Sequence, residues 1–445
     1  MKKLFFSCFI LVSLSVFGQP VSEKVDAYLT AAQTAGIFSG SVLVIDKGEV
    51  VVNKGYGFRN AEAKQNNDAN TIYQIGSVTK QFTSTIILKL AEQGKLKLDD
   101  KLSKYFPEFP NAEKITIENL LTHTSGVYNY TKNSEFMAKE VEKPIDQQVL
   151  FEMVKEKPLD FEPGSKFSYS NTGYMILGYI IEKVTGKKYE TVVRENIFTP
   201  LQMNNSGFDF THLNHSNKAI GYKSVADGKG NKTMVVDSTV SFAAGAIYST
   251  VGDLDKWNKS LKTEKVIKKQ SLQNAFTPRL SKYGLGWGMD TIEGKKAIMH
   301  SGGIHGFMSY NSIFPEENSS ITLLSNVETS KLGAVSKAII AILNNKPYEL
   351  PKAVEVVKVD EKILQEYIGQ YELAPSFTIT VRVEDGQLKA QATGQPEFEL
   401  FAKNEKEFFL KVVDAQVEFI RSADGKVEQL ILHQGGQHIP GKKIK

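Results

Sequence analysis

The stretch IGSVTKQFTSTIILKLAEQGK, residues 75–95, places a serine near the start of a predicted helix and a lysine three residues later. Phe82, Ile86 and Leu90 recur at helical spacing and Gly94 is a natural stop, so the pattern predicts a helix from about residue 78. Ser77 is open to two interpretations. It is either an N-cap, which stabilises a helix by about 1 kcal/mol relative to alanine, or a nucleophile.

Lys80 weakens the capping interpretation. A capping box would have Glu or Gln at this position, and the helix dipole disfavours a cation in the first turn. A serine needs a base to take its proton, and a neighbouring lysine can do so when its surroundings lower its pKa from about 10.4. The Ser77 N–H, at a helix N-terminus, is also well placed as one donor of an oxyanion hole.

Two more segments carry groups of the same kind. FEPGSKFSYSNTGYMILGYIIEKVTG, residues 161–186, has Tyr169 and Asn171 on a loop before a predicted helix. AIMHSGGIHGF, residues 297–307, has His300, Ser301 and Gly302 at the end of a predicted strand. Read alone, the first is an ordinary N-cap with a packed aromatic residue, and the second is a polar strand end with a glycine turn.

The order of predicted elements indicates the fold class. A helix is predicted at 21–35, followed by two β-branched runs that turn at residues 46–48. Further strands are predicted in YGLGWGMD (283–290), KKAIMHSGG (295–303), GFMSYNSIF (306–314) and SSITLLSN (319–326), followed by a helix at 334–343. Because the centre, about 95–240, reads as helix and loop, we expect an α/β (α+β) fold, with an antiparallel sheet flanked by helices and an all-helical insertion.

The ends of the chain suggest export and a second domain. Residues 1–18, MKKLFFSCFILVSLSVFG, have the features of a signal peptide, so we expect a secreted protein of the bacterial periplasm without a transmembrane anchor in the mature chain. We expect the main domain at 19–345, a linker at 346–358 and a small β-rich, barrel-like accessory domain at 359–445.

Composition excludes several kinds of chemistry. Cys8 is the only cysteine and lies in the signal peptide, which excludes cysteine nucleophiles, disulfides and thiolate metal sites from the mature chain. The balance of 54 basic and 50 acidic residues gives no reason to expect a nucleic-acid partner. His212 and His215 have metal-ligand spacing but no third ligand nearby, so we expect no metal site there.

Taken together, the three segments resemble one family. Ser-x-x-Lys at a helix start, Tyr-x-Asn on a loop and a basic–hydroxyl–glycine triplet on a strand are similar to the serine β-lactamase and penicillin-binding protein superfamily. The likeness is to its class C-like branch with Tyr-x-Asn and His-x-Gly. Further similarity in LLTHTSGV (120–127) and SFAAGAIYSTVGDL (241–254) extends the resemblance over residues 22–343, and the tail resembles a β-barrel module appended to some of these hydrolases.

The resemblance implies a mechanism. Ser77 would be the nucleophile, Lys80 its base or proton relay, and Tyr169 a general base held partly ionised by nearby cations. The backbone amides of Ser77 and Gly303 would form the oxyanion hole. Substrate-binding roles would fall to Asn171, His300, Ser301 and Gly302.

The implied activity is hydrolysis of a small-molecule or peptide substrate, with cell-wall fragments among the candidates. The reaction would pass through an acyl-serine intermediate and need no metal and no cofactor. DD-peptidase, D-aminopeptidase and esterase activities all remain open. The alternatives are a β-lactamase proper and a penicillin-binding receptor that is acylated without efficient turnover. The sequence leaves the oligomeric state open.

His300 departs from the lysine that many members of this superfamily carry. A histidine is largely neutral at pH 7, so we expect less reliance on a substrate carboxylate and weaker β-lactam hydrolysis. If its charge matters, kcat/KM should show a limb between about pH 5.5 and 8. We expect His123 to anchor a loop and Tyr283 and Trp287 to belong to the core.

Overall fold

The computed structural model describes residues 19–226, 228–328, 330–352, 355–395, 397–410, 415–434 and 437–445. The predicted signal peptide lies outside these residues. Helices of the first part of the chain are α1 (Val21–Thr34), α2 (Thr79–Glu92), α3 (Ile117–Leu121), α4 (Ser134–Lys139), α5 (Gln147–Lys155), α6 (Asn171–Thr185), α7 (Tyr189–Val193), α8 (Thr199–Leu201), α9 (Ser238–Gly245), α10 (Val251–Ser260), α11 (Lys269–Ala275) and α12 (Leu332–Leu343).

Strands of the same part are β1 (Gly40–Asp46), β2 (Glu49–Tyr56), β3 (Phe58–Asn60), β4 (Gln65–Asn66), β5 (Tyr73–Gln74), β6 (Tyr222–Ala226), β7 (Lys229–Lys232), β8 (Tyr248–Ser249), β9 (Gly288–Ile292), β10 (Lys295–Ile304), β11 (Phe307–Phe314) and β12 (Ser319–Ser325). Six of them form one antiparallel sheet in the order β2-β1-β12-β11-β10-β9. The predicted sheet, built from both ends of a helical segment, is confirmed.

Both faces of this sheet are covered by helices. Along β1, Val42 and Val44 face the core shared with α1 and α12, whereas Leu43 and Ile45 face the larger core shared with α2 and the insertion. This alternation follows from the two-residue period of a strand, and burial on both faces explains why β1 is almost continuously apolar. The sheet therefore lies between two layers of helices.

The insertion is helical apart from the hairpin β6–β7, which the sequence pattern did not predict. A second difference concerns YGLGWGMD, where the strand begins only at Gly288. The preceding residues turn, because Gly286 has φ +96° and the Gly284 N–H donates to the Trp287 carbonyl. Tyr283 and Trp287 are buried, as expected for core residues.

The last part of the chain is a separate β structure. After helix α13 (Glu361–Glu366), eight strands form a closed barrel: β13 (Gly369–Ala374), β14 (Phe377–Glu384), β15 (Gln387–Ala392), β16 (Glu397–Ala402), β17 (Glu407–Phe409), β18 (Ala415–Arg421), β19 (Val427–Gln434) and β20 (Gln437–Lys443). Its own hydrophobic core includes Tyr367 stacked on Phe419 with ring centroids 4.0 Å apart. The predicted barrel-like architecture is confirmed, whereas the domain boundaries at 345 and 358 stay predictions.

None of the helices in the described part of the chain has both the length and the apolar character needed to cross a bilayer.

Candidate active site

Ser77 lies in a 3-10 turn, Gly76–Val78, that leads directly into α2. It is the only residue between positions 71 and 88 that is not buried. Its hydroxyl does not cap α2, whose N-cap residue is Val78 and has no side-chain cap hydrogen bond. The Ser77 Oγ instead lies 3.0 Å from the Nζ of Lys80. The capping interpretation is therefore wrong, and the hydroxyl is left available for chemistry.

Lys80 is fully buried, and its Nζ has three neutral partners. These are the Ser77 Oγ at 3.0 Å, the Asn171 Oδ1 at 2.8 Å and the Ala244 carbonyl at 2.8 Å. Desolvation holds the pKa of Lys80 well below its usual range. The buried amine therefore favours its neutral form, in which nitrogen has a lone pair.

Tyr169 packs next to the Lys80 amine. Its ring centroid is 4.9 Å from the Lys80 Nζ, and its hydroxyl is close enough to Ser77 for that side chain to act on its pKa. Tyr169 is 36% exposed, yet desolvation still raises the pKa of its phenol. The Ser77 side chain lowers the pKa and opposes this shift only partly. The expectation that neighbouring cations hold this phenol partly ionised is wrong, because burial acts on both groups and favours a neutral pair.

Asn171 is the first residue of α6 rather than part of the preceding loop. Its side chain does not cap the helix but accepts from the Lys80 amine, while its Nδ2 donates to the Thr131 Oγ1 at 3.4 Å. The Asn171 backbone N–H donates to the Asn129 Oδ1 at 3.1 Å. Asn129 therefore fixes the residue that in turn orients Lys80.

His300 is buried and both of its ring nitrogens are occupied. The Nδ1 lies 2.6 Å from the Ser301 carbonyl, which can only accept, so Nδ1 carries the proton. The Nε2 therefore accepts from the Tyr283 hydroxyl at 2.8 Å. Desolvation, aided by any charge on Lys80, lowers the pKa of His300 to about 3. A pKa lowered in this way argues against a catalytic limb between about pH 5.5 and 8 from this residue, and the limb itself stays a prediction.

Strand β10 packs its glycines directly against the Ser77 turn. A Cβ at Gly302 would lie 2.2 Å from the Ile75 carbonyl oxygen and 2.9 Å from the Ser77 nitrogen. A Cβ at Gly76, where φ is +48°, would lie 3.1 Å from the Gly303 nitrogen. The Ser309 hydroxyl from β11 donates to the Ile75 carbonyl at 2.7 Å. These contacts bring the backbone of Gly303 next to that of Ser77, as an oxyanion hole requires.

Comparison with known proteins adds an independent observation. Residues 23–344 match the sequence profile of the family described as Beta-lactamase. The chain belongs to the β-lactamase family. Residues 353–443 match a domain of unknown function, DUF3471, which covers the barrel.

Relatives of this β-lactamase-family protein cover both parts of the chain. Penicillin-binding protein 4* of Bacillus subtilis is 29% identical over 438 residues, which cover 92% of this chain and 95% of that protein. The octameric penicillin-binding protein homologue from Pyrococcus abyssi has a TM-score of 0.64 at 26% identity, covering 94% of this chain and 99% of that one. A D-stereospecific amidohydrolase from Streptomyces has a TM-score of 0.63 at 26% identity, covering 74% and 100%.

Several groups at this β-lactamase-family site were missed by sequence reasoning. The Ala244 carbonyl is a backbone group, so no side-chain pattern indicates it, although SFAAGAIYSTVGDL was recognised as a similar segment. Asn129 and the bond from Tyr283 to His300 join residues far apart in sequence. No spacing rule would have found them.

His123 has the loop-anchoring position expected for it. Its Nδ1 accepts from the Ser170 N–H, and its carbonyl accepts from the Ser168 N–H, so it holds the chain on both sides of Tyr169. Its ring also packs on the Tyr169 ring with centroids 4.1 Å apart.

Ser301 is exposed on β10.

Among the described residues, no group of three or more His, Cys, Asp or Glu side chains has a metal-binding arrangement.

Proposed function

We propose that the protein is an exported serine hydrolase that cleaves amide or ester substrates through a covalent intermediate on Ser77. The observation that carries this proposal is the position of the buried Lys80 amine, 3.0 Å from the Ser77 hydroxyl and bound otherwise only to neutral acceptors. A helix cap needs no such amine, whereas a serine nucleophile needs a base.

The partners of Lys80 fix the direction of its lone pair. A neutral amine has two N–H groups and one lone pair. The Asn171 Oδ1 and the Ala244 carbonyl can only accept, so they take the two hydrogens. The lone pair is left to face the Ser77 hydroxyl, whose proton it can accept as the serine attacks. We therefore assign the base of acylation to Lys80.

Tyr169 completes the proton path. As the Ser77 Oγ forms a bond to the substrate carbonyl carbon, its proton moves to Lys80. When the bond from that carbon to the leaving nitrogen or oxygen breaks, the Tyr169 phenol donates its proton to the leaving group and regains one from the Lys80 ammonium. A water molecule then repeats the sequence in reverse and releases the acid. Proton transfer of this kind contributes about 10²- to 10⁴-fold to rate.

Backbone amides stabilise the oxyanion. The Ser77 and Gly303 N–H groups belong to a turn and a strand that touch through Gly76 and Gly302, so neither needs to move as charge develops. Loss of one such donor typically costs about 10²- to 10³-fold in kcat. Asn171 and the exposed Ser301 are our candidates for substrate contacts, and we assign the buried His300 to positioning the strand.

The neutral state of His300 favours substrates that do not need a carboxylate group for binding. Both of its nitrogens are used within the protein, and its low pKa leaves no cation there at pH 7. The similarity to a D-stereospecific amidohydrolase points in the same direction. We therefore favour D-amino-acid amides, D-amino-acid peptides and short esters over β-lactams.

The similarity to penicillin-binding proteins supports a second candidate function. In that case a β-lactam acylates Ser77 and is released slowly or not at all. A penicillin adduct that persists for hours, with no hydrolysis of any amide or ester, would favour this candidate over the hydrolase.

A substrate panel tests the proposal. Purified protein is assayed with D-phenylalanine amide, a D-Ala-D-Ala peptide, p-nitrophenyl acetate and nitrocefin, alongside Ser77→Ala. We expect kcat/KM for an amide or ester to exceed that for nitrocefin and to vanish in the variant. A nitrocefin value far above the others would overturn the substrate assignment.

Export is tested separately. The protein is expressed from the full sequence in a Gram-negative host, and we expect it in the periplasmic fraction with an N-terminus near residue 19. A cytoplasmic protein that retains residues 1–18 would contradict export.

A further inference from the structure

Phe242 has a backbone conformation that side-chain-bearing residues rarely adopt. It lies inside α9, where φ is 35° and ψ is −133°, so the segment is not a continuous helix. A positive φ brings Cβ close to the carbonyl oxygen, and glycine is the residue that tolerates this conformation. Strained backbone of this kind persists only where the surroundings hold it, and it is frequent at active sites.

Directly after Phe242, two consecutive backbone carbonyl groups point at α2. The Ala243 carbonyl accepts from the Thr83 Oγ1 at 2.6 Å, and the Ala244 carbonyl accepts from the Lys80 Nζ at 2.8 Å. Both carbonyls lie in the last turn of α9, where helix carbonyls have no partner within the helix. The conformation of Phe242 sets the path of this last turn and so the direction in which the two carbonyls face α2.

The residues that follow Ala244 also contact the N-terminal end of α2 and the turn before it. The Ile247 N–H donates to the Thr79 Oγ1 at 3.2 Å, and the Ile75 N–H donates to the Ile247 carbonyl at 2.9 Å. Gly245 packs beside Gly76, with the position of a Cβ only 3.7 Å from the Gly76 carbonyl carbon. The segment after Phe242 is thus aligned with the turn that carries the nucleophile.

The Phe242 ring holds this backbone conformation in place. It packs against Tyr179 and Tyr189, with centroid distances of 5.3 and 5.2 Å. A Cβ at Gly178 would lie 2.4 Å from the Phe242 Cε1, so α6 has a gap that fits this ring. A glycine at 242 would reach the same φ and ψ without strain but would lack this anchor.

We propose that Phe242 is a positioning residue for Lys80, because its anchored, strained backbone presents the Ala244 carbonyl to the amine. This inference rests on the proposed function, in which Lys80 is the base. With that carbonyl in place, one N–H of the amine is fixed and the lone pair faces Ser77. Without it, the amine can rotate and a hydrogen can replace the lone pair.

The first test compares the stabilities of Phe242→Gly and Phe242→Ala. Both variants lose the ring, and they differ only by a Cβ. In an ordinary helix interior alanine is the more stable residue, but at φ 35° glycine is favoured. We expect the thermal midpoint of Phe242→Gly to exceed that of Phe242→Ala by about 2 °C or more. An equal or reversed order would overturn the inference.

The second test measures kcat/KM as a function of pH. The titratable groups around the Lys80 amine are Tyr169, Tyr174, His123 and His300. A carbonyl acceptor stabilises the ammonium form more than the amine, so its withdrawal lowers the pKa of Lys80. We expect the acid limb of Phe242→Ala to move down by about one pH unit, with a smaller shift in Phe242→Gly. A lower rate with an unmoved limb in both variants would reduce Phe242 to a structural role and overturn the inference.

Gln202 provides a matched control. It also has a positive φ, 55°, but is exposed at the end of α8. Gln202→Gly should be more stable than Gln202→Ala, and both should keep the wild-type limb. A shifted limb in either control would mean that relief of backbone strain alone changes the profile and would contradict the inference. Failure of the proposed function has a different signature, namely hydrolysis that persists in Ser77→Ala, while the stability order at position 242 does not depend on hydrolysis.

Discussion

At the scale of single residues, the account depends on the protonation state of two buried nitrogens. Lys80 and His300 are close enough for a charge on Lys80 to lower the pKa of His300, and burial favours the neutral form of each. The consequences differ, because Lys80 keeps a lone pair directed at Ser77, whereas both nitrogens of His300 are used by Ser301 and Tyr283. Lys80 can therefore act as a base, whereas His300 can only stabilise the structure around it.

Replacement of Lys80 should remove the base without removing the nucleophile. Lys80→Met keeps the length and apolar stem of the side chain, and we expect kcat/KM to fall about 10²- to 10⁴-fold. The control is Lys89→Met on the same helix, since the Lys89 Nζ bonds to the Val266 carbonyl at 3.2 Å, away from Ser77. Steady-state kinetics with p-nitrophenyl acetate measures both. A loss smaller than about threefold in Lys80→Met would rule out this base.

His300 should make the fold sensitive to acid. Its pKa of about 3 in the folded protein is depressed from about 6.5 in the unfolded chain, so between these values the unfolded state binds the extra proton. The free energy of unfolding should fall with decreasing pH by about 1.4 kcal/mol per unit from this residue alone. We expect urea unfolding of His300→Gln between pH 7 and 4 to show a correspondingly shallower dependence.

The exposed His215 supplies the comparison for this measurement. His215→Gln should keep the wild-type pH dependence of unfolding. If His300→Gln and wild type lose stability in parallel on acidification, His300 is not buried in its neutral form.

At the scale of secondary-structure elements, the site is the junction of a helix start and a strand. Strand β10 approaches the Ser77 turn so closely that Gly302 has no room for a Cβ. The sheet holds β10 between β9 and β11, so the strand cannot move away without disturbing its neighbours. This packing would preorganise the proposed oxyanion hole.

An added methyl group at Gly302 should disrupt the junction. In Gly302→Ala the Cβ would lie 2.2 Å from the Ile75 carbonyl oxygen, so strand and turn must separate. We expect kcat to fall about 10²- to 10³-fold, the usual effect of one lost oxyanion donor. Gly288→Ala on β9 is the control, because its Cβ meets the nearest atom, the Met299 oxygen, at an ordinary 3.5 Å. Equal kcat values for the two variants would contradict a close-packed oxyanion hole.

Local patterns were sufficient to predict the elements that carry the side chains. The Ser77–Lys80 pair depends on a spacing of three residues, and the strands that pair in the sheet follow the two-residue alternation. The sequence could not indicate that Ala244 supplies a carbonyl or that Asn129 holds Asn171, because both contacts depend on the tertiary path of the chain. The neutral state of Tyr169 was missed for the same reason, since burial cannot be read from a motif.

At the scale of the whole molecule, two bodies have separate cores. The barrel encloses its own cluster, which includes Tyr371, Phe408 and Phe419, and these residues belong to none of the three clusters in the hydrolase part. Because a hydrophobic core is the unit of cooperative unfolding, each body should respond to its own core substitutions.

Calorimetry should resolve two unfolding transitions. Phe419→Ala removes the ring stacked on Tyr367, and a loss of about 3–5 kcal/mol should lower the midpoint of the barrel by about 10 °C or more. Phe314→Ala, in the core between the sheet and α1, should lower only the other transition. A single transition that both substitutions shift equally would mean that the chain unfolds as one unit.

The most direct test of the central claim is rapid-quench peptide mass spectrometry during turnover of a p-nitrophenyl ester. We predict an acyl group on the peptide that contains Ser77, formed before steady state, lost as acid is released and absent in Ser77→Ala. An acyl group on another residue, or hydrolysis at the wild-type rate in Ser77→Ala, would contradict the proposal that Ser77 is the nucleophile and Lys80 its base.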